Sequence, residues 1–449
     1  MQFRSWFKAI VLLISILFSV HSAHSENLTL ITEHNALANE IRNNPSNYDA
    51  TYRFVKVSID LHDYEAAIGA LERLLLFNPK LIRAHQELGS LYARLGAYEM
   101  SAYHINMALQ SGSLDKKEAA RLETQLPEIQ KRTQAVRFSG QLIAGLRSQS
   151  NANFFPSNGL FQIGGIGYRS LLGQRPDMNA FQLAQAAHDY DLDTDYQASI
   201  ETRLSTYATQ QYSLTLYNVS LFSGSTGVRV AIPQLGLPGA TVKPYLLGTS
   251  SLLGNQSYLN AGGGGITFSL PINPDIYLDP GMEVRSLYVN RDNTANGGRL
   301  FSTVSTLATG DAITGYITGS YQVLSNIKLE GRAAFTRANA NISVQSSNQI
   351  DIQTMLRMEY DVPLEDIGGR WAVSPYVRFT HLAFDKANSI IDPWIARRDA
   401  AWMGGAVFDA PITPHFGFVG TVEFAQNLSN ITNFQAQNFS ISFGPSARF

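Results

Sequence analysis

Residues 437–449 read Gln-Asn-Phe-Ser-Ile-Ser-Phe-Gly-Pro-Ser-Ala-Arg-Phe. Counting back by twos from Phe449 gives Ala447, Pro445, Phe443, Ile441 and Phe439, all apolar. Between them stand Arg448, Ser446, Gly444, Ser442 and Ser440, small or polar. A side-chain period of two is a β-strand with one apolar and one polar face. By itself this pattern also fits an edge strand of a soluble sandwich, so the fold is decided by the segments before it.

From residue 136 the chain is rich in Gly, Ser, Thr, Asn and aromatics, and about 14 segments repeat the alternation. Within 348–362, Ile350, Ile352, Leu356, Met358 and Tyr360 oppose Asp351, Gln353, Arg357 and Glu359. Within 276–290, Leu278, Met282 and Val284 oppose Asp279, Glu283 and Arg285; Ile200 and Leu204 oppose Glu201 and Arg203 in 195–207. Leu329, Ala333 and Phe335 oppose Lys328, Glu330 and Arg332 in 326–339, and Arg378 falls in 370–384. Tight turns at 191–194, 271–274, 325–326 and 411–414 alternate with long connections at 150–177, 291–310 and 385–398. Apolar-out, polar-in strands joined by short turns on one side and long loops on the other describe a transmembrane barrel. Glu201, Arg203, Glu283, Arg285, Arg332, Arg357, Glu359 and Arg378 then line its lumen, as a salt-bridge ladder or as a polar conduit. An even strand number puts both ends of the barrel on the periplasmic side.

The N-terminus agrees with this destination. Arg4 and Lys8 precede an apolar run from Ala9 to Val20, and Ala23 and Ser25 are small, as in a signal peptide cut after Ser25. The run is shorter than the ~20 residues of a spanning helix. There is no cysteine, so neither a lipoprotein anchor nor a disulfide is available. Removing Arg4 and Lys8 from the totals of 34 basic and 36 acidic residues leaves 32 against 36, a net charge of −4. That balance argues against a nucleic-acid partner.

Residues 26–135 have a helical texture. Pro45 and Pro79, each preceded by Asn, are separated by the 34-residue tetratricopeptide period. Tyr64 to Pro79 reads as the second helix of one unit, with Ala67 at a close helix approach and Leu71 and Leu74 in the stack. Leu88, Gly89, Tyr92, Gly96, Tyr98 and Ala108 fit the next unit, and 113–135 reads as a capping helix. Stacked helix pairs leave a concave face for a partner. On that face the spacing places Tyr52, Lys56, Arg83, Gln86 and Arg94, a mixture suited to an extended polypeptide.

The expected organisation is therefore α+β and multidomain. A signal peptide (1–25) precedes a periplasmic helical-repeat domain (26–135) and an outer-membrane barrel of about 14 antiparallel strands (136–449). The order of repeats and barrel, the run from Phe138 to Asn153 ending Ser-Asn-Ala-Asn, and the closing strand resemble the surface lipoprotein assembly modulator family. The resemblance implies a helical domain that hands a periplasmic client protein to a barrel aiding its export or surface display. It also implies that the barrel-insertion machinery reads a terminal signal, here Phe439, Ile441, Phe443 and Phe449. Outer-membrane lipids are the remaining expected partner, and no cofactor is expected. An exopolysaccharide export pore and an outer-membrane scaffold without transport are the rival readings. Catalytic signatures are missing: Gly262–Gly265 lacks the Lys-Ser/Thr of a phosphate loop, no Gly-x-Ser-x-Gly elbow occurs, and His188, His381 and His415 lie in separate strands.

Overall fold

The computed structural model describes residues 29–45, 47–61, 63–194, 196–290, 308–361 and 370–449. The expected signal peptide lies outside them. The chain divides between Gln134 and Ala135 into two compact units.

The first unit is a run of helices: α1 at 29–43, α2 (Tyr48–Asp60), α3 (Tyr64–Phe77), α4 (Ile82–Arg94), α5 (Tyr98–Gln110) and α6 (Lys116–Thr133). Asn47 and Asp63 cap α2 and α3 by accepting the N–H of Ala50 and Ala66, satisfying donors that a helix start leaves open. Successive helices pack as antiparallel hairpins, α2 on α3 and α4 on α5. Their core is the apolar face read from the 3.6 period: Phe54, Ala67, Leu71 and Leu88 are buried. Gly89 lies against Ile105, with 2.8 Å from an added Cβ to that side chain, and the Ser101 hydroxyl donates to the Gly89 carbonyl at 2.7 Å. Gly96, at φ 77°, makes the turn between α4 and α5. Pro127 stands inside α6, so the Glu123 carbonyl lacks its usual donor there.

The second unit is a closed antiparallel barrel of 14 strands. It begins with β1 (Val136–Gln149), followed by a small hairpin outside the barrel, β2 (Leu160–Ile163) and β3 (Ile166–Arg169). The wall continues through β4 (Asp177–Asp191), β5 (Ser199–Gln211), β6 (Val219–Ala231), β7 (Thr241–Leu253), β8 (Gln256–Asn273) and β9 (Ile276–Val289). It is completed by β10 (Gly310–Leu324), β11 (Ile327–Ala340), β12 (Ser347–Tyr360), β13 (Trp371–Phe384), β14 (Arg398–Pro411), β15 (Phe416–Ser429) and β16 (Ala436–Arg448). Each wall strand pairs with the next wall strand in the chain, β1 with β4 across the β2–β3 hairpin, and β16 closes the seam on β1.

The parity rule orders the two faces throughout. Phe439, Ile441, Phe443 and Phe449 are half exposed or more, whereas Ser440 and Ser446 between them are buried. Ile350 and Ile352 point outward while Asp351 is 4% exposed. This is the inverse of a water-soluble fold. The shortest wall strand has 13 residues; at ~3.3 Å per residue and a tilt of ~40° it spans roughly 33 Å, enough for an apolar band of ~25 Å.

Three details differ from the sequence reading. β5 starts at Ser199 rather than 195, because Asp193 and Gln197 take φ of 50° and 49° in the turn, the Asp193 N–H bonding the Asp191 carboxylate. β8 runs on to Asn273, so the expected turn at 271–274 shrinks to Pro274–Asp275. The loop-length contrast is also imperfect: β7 and β8 meet in a two-residue turn, Gly254–Asn255, at the end that carries the long loops. At the other end, residues 232–240 form a longer connection built on a short 3-10 turn closed by Gly236 at φ 67°.

Candidate functional site

The lumen is built from one parity of each strand. Register places Asp189, Glu201, Gly227, Tyr245, Gly265, Glu283 and Thr314 in one row across successive strands, all on the same face. A second row carries Thr318, Arg332, Gln353, Arg378 and Met403. Facing charges therefore meet across strands as well as along them.

Of the eight lumen residues expected, most are ion-paired. Glu201 is the densest node: its carboxylate accepts from Arg229 Nε at 2.5 Å and Lys243 Nζ at 2.9 Å, and Arg203 approaches within 3.9 Å. Arg203 also pairs with Asp189. Glu283 accepts from Arg285 at 2.6 Å and from the Tyr245 hydroxyl at 2.7 Å. Arg357 bonds Glu359 at 2.9 Å and approaches Asp409, which Arg448 also holds. Arg378 bonds Asp351 at 2.7 Å, and Thr380 donates to the same carboxylate. Arg332 stands apart from these pairs, its guanidinium 5.1 Å above the Tyr316 ring. Sequence reading missed Arg229 and Lys243, because Ser, Gly and Thr blur the alternation of β6 and β7. Parity with Gly227 and Tyr245 was the available signal.

Several lumen tyrosines lie flat on the wall because a glycine sits beneath them. A Cβ on Gly265 would come within 2.7 Å of the Tyr245 ring, and one on Gly281 within 2.5 Å of the Tyr316 ring. The two hydroxyls then meet at 2.9 Å. Within the glycine run of β8, Gly263 and Gly265 thus serve close packing.

Two cavities open along the lumen. One, of about 860 Å³, is lined by Arg203, Tyr245, Glu283, Arg285 and Arg448. The other, of about 730 Å³, lies at the end carrying the long connections and is lined by Arg147, Tyr207, Gln349, Arg378, Thr380 and Glu423, with Phe154 contributed by a loop. That loop joins β1 to β4 and is tied down. The buried Asn151 bonds the backbone of Phe155 and Gln437, Gln162 bonds Asp392 and Asn433, and the Gly164 and Gly165 N–H groups reach the carbonyls of Ile390 and Ile391.

At the seam, Gly140 and Phe449 exchange backbone hydrogen bonds of 2.9 and 3.2 Å. The terminal ring occupies the space a side chain on Gly140 would need.

Of the five residues expected on the helical face, the structure joins Tyr52 and Arg83, the guanidinium lying 4.1 Å over the ring. The Tyr52 hydroxyl is buried and has no hydrogen-bond partner. Burial pushes it up to about 12, the Arg83 charge acting in the opposite direction. Lys56, one turn along α2, and Arg94, at the end of α4, are exposed. Gln86 is drawn elsewhere, its amide bonding Glu118 of α6 at 3.5 Å. Behind this face His85 and His104 meet Nδ1 to Nδ1 at 2.9 Å while His85 Nε2 reaches the Pro79 carbonyl at 3.0 Å. The carbonyl only accepts, so His85 donates from Nε2 and accepts from His104 at Nδ1. Burial, with His85 beside it, lowers His104 to about 4.

The barrel histidines stay dispersed: His188 stacks outward on Phe138, and His415 sits in a turn beside the Arg448 carbonyl. Among the described residues no three His, Asp or Glu side chains converge as metal ligands.

No protein-family model and no curated protein matches the chain. Solved structures similar to the barrel region include an anion-selective porin from Comamonas acidovorans, at 9% identity over 70% of this chain and 99% of that one, TM-score 0.30. The Acinetobacter baumannii outer membrane protein Omp33 has 9% identity over 70% and 99%, TM-score 0.33. A bacterial polysaccharide outer membrane secretin has 9% identity over 69% and 98%, TM-score 0.32.

Proposed function

We propose that the chain is a bacterial outer-membrane barrel whose helical hairpins lie in the periplasm and receive an extended segment of a client protein for delivery to the cell surface. The observation that carries the membrane part is the inverted closed barrel: half-exposed aromatic and aliphatic side chains outside, paired charges inside, and no free strand edge. Lipid requires backbone groups to be satisfied within the barrel, and a closed sheet does this. Both ends of the wall, Val136 and Arg448, lie at the end of the barrel opposite the long connections, which is the periplasmic end of known barrels. Residues 1–25 are its signal peptide, and Phe449 with the outward residues of β16 forms its insertion signal.

The client part rests on the helical face. Arg83 stacked on Tyr52, with Lys56 and Arg94 exposed alongside, offers cation and hydrogen-bond donors and one aromatic surface. Such a face suits a polypeptide with carbonyl and carboxylate groups. The succession of helix hairpins with a 34-residue proline spacing supports a tetratricopeptide-like platform and, with it, the assembly-modulator resemblance. The test compares surface proteins and surface glycans of cells carrying Tyr52→Ala/Arg83→Glu with wild type, while heat-modifiable gel migration confirms barrel insertion. Selective loss of a surface protein is expected. Loss of an extracellular glycan alone would favour glycan export, and no change in either would leave a scaffold.

A further inference from the structure

We infer that the cavity of about 730 Å³ at the loop-bearing end of the lumen is a binding site for a neutral glycan segment, with Phe154 as its platform. This goes beyond the client reading and stands without it.

Phe154 is the unusual residue. Its φ is 50°, a left-handed conformation unfavourable to any residue with a Cβ, and the residue is 67% exposed. Glycine would serve the turn better. The strain is held by the Asn151 side chain, whose oxygen accepts the Phe155 N–H and whose amide donates to the Phe155 and Gln437 carbonyls. Asn153 braces the other strand of the loop through the Arg175 N–H and Gly173 carbonyl. A rigid loop thus holds an apolar ring at a cavity whose lining sets Leu382, Trp402 and Met403 among arginine, carboxylate and amide side chains.

The polar walls select the ligand class. Three arginines line the cavity and each is paired: Arg147 to Glu423 at 3.3 Å and to Ser440 at 2.9 Å, Arg397 to Asp399 at 2.5 Å, and Arg378 to Asp351, just outside the lining, at 2.7 Å. Charges are matched in sign, so an anionic or cationic ligand meets a like charge wherever it meets its opposite. Hydroxyl groups, which both donate and accept, fit such interleaved donors and acceptors. A pyranose adds an apolar C–H face for Phe154. An extended polypeptide is less suited, because the barrel is closed and offers no strand edge for main-chain pairing. The volume lies within the ~300–1,000 Å³ of small-ligand sites and admits a few sugar units.

The full chain, in detergent and in planar bilayers, is titrated with neutral hexasaccharides of glucose (α- and β-linked) and of N-acetylglucosamine. A glycine-serine peptide of similar length and a polyuronate are the comparison probes. At least one neutral hexasaccharide is expected to bind by calorimetry and to block residual current. Phe154→Gly should weaken that binding about tenfold or more while leaving thermal stability unchanged or higher, since glycine relieves the positive φ. Phe154→Trp should restore it. A structural phenylalanine would instead lose stability on replacement by glycine. Block from the loop side only would identify a surface glycan as the source, and block from the opposite side an exported one. Absence of binding by every hexasaccharide, tighter binding of the peptide or polyuronate, or full affinity in Phe154→Gly would each overturn the inference.

Discussion

Glu201→Gln is the most informative single change in the barrel. The carboxylate is 10% exposed and holds Arg229 at 2.5 and 3.1 Å and Lys243 at 2.9 Å, with Arg203 at 3.9 Å. The amide keeps the shape but removes the charge, leaving three cations together. Breaking a buried pair from one side costs about 3–5 kcal/mol. Here the loss is smaller, because Arg203 keeps Asp189, Arg229 keeps Thr241 and Lys243 rests near the Tyr245 ring. The expected destabilisation is roughly 2–3 kcal/mol. Urea unfolding in lipid vesicles followed by tryptophan fluorescence reads it cleanly: Trp371, Trp394 and Trp402 all lie in the barrel region, and residues 29–134 contain none. Arg229→Gln in the Glu201→Gln background should cost much less than alone, giving a coupling of at least ~1 kcal/mol. Any residual conductance should also shift toward anions. A Glu201→Gln barrel within ~0.5 kcal/mol of wild type, or strict additivity with Arg229→Gln, would refute the ion-pair account.

Deleting Phe449, or replacing Gly140 by Val so that the terminal ring is displaced, should lower insertion measured by heat-modifiable migration, while helicity at 222 nm persists. Gly281→Val should drive the Tyr316 ring off the wall and reduce single-channel current, itself expected to be low because 14 strands enclose a narrower bore than a 16-strand porin. His104 should make helical stability pH-dependent: its folded value is lowered from 6.5 to about 4, so the unfolded chain binds the extra proton between them. Stability is complete above about pH 6.5 and falls as the pH drops through that window, followed by thermal melts at 222 nm; His104→Asn should flatten the profile.

Strand parity was legible because a barrel in lipid exposes one face of every strand to a uniform solvent. A local alternation therefore determined which side Glu283, Arg357 and Phe443 face. Helix pairing was legible through a different period, the apolar spacing of Ala67, Leu71 and Leu74, which are buried. What remained hidden is non-local. The partners of Glu201 come from two other strands, and the opposition of Phe154 to Arg378 depends on how a loop folds back. Gln86 shows the limit on the helical side: its position matched the groove, but Glu118, on a helix with no repeat signature, captured its amide.

The seam joins residues far apart in the chain, as in Gln141 opposite Arg448, whereas every other wall contact follows a local connection. Bringing ends together across about 300 residues costs roughly 5 kcal/mol in chain entropy, against a much smaller cost for any hairpin. Registration of β1 with β16 is thus the late, slow event of assembly. Until it occurs both strands are open templates on which other chains can pair, so whatever delays this one registration lengthens the time during which the wall can aggregate.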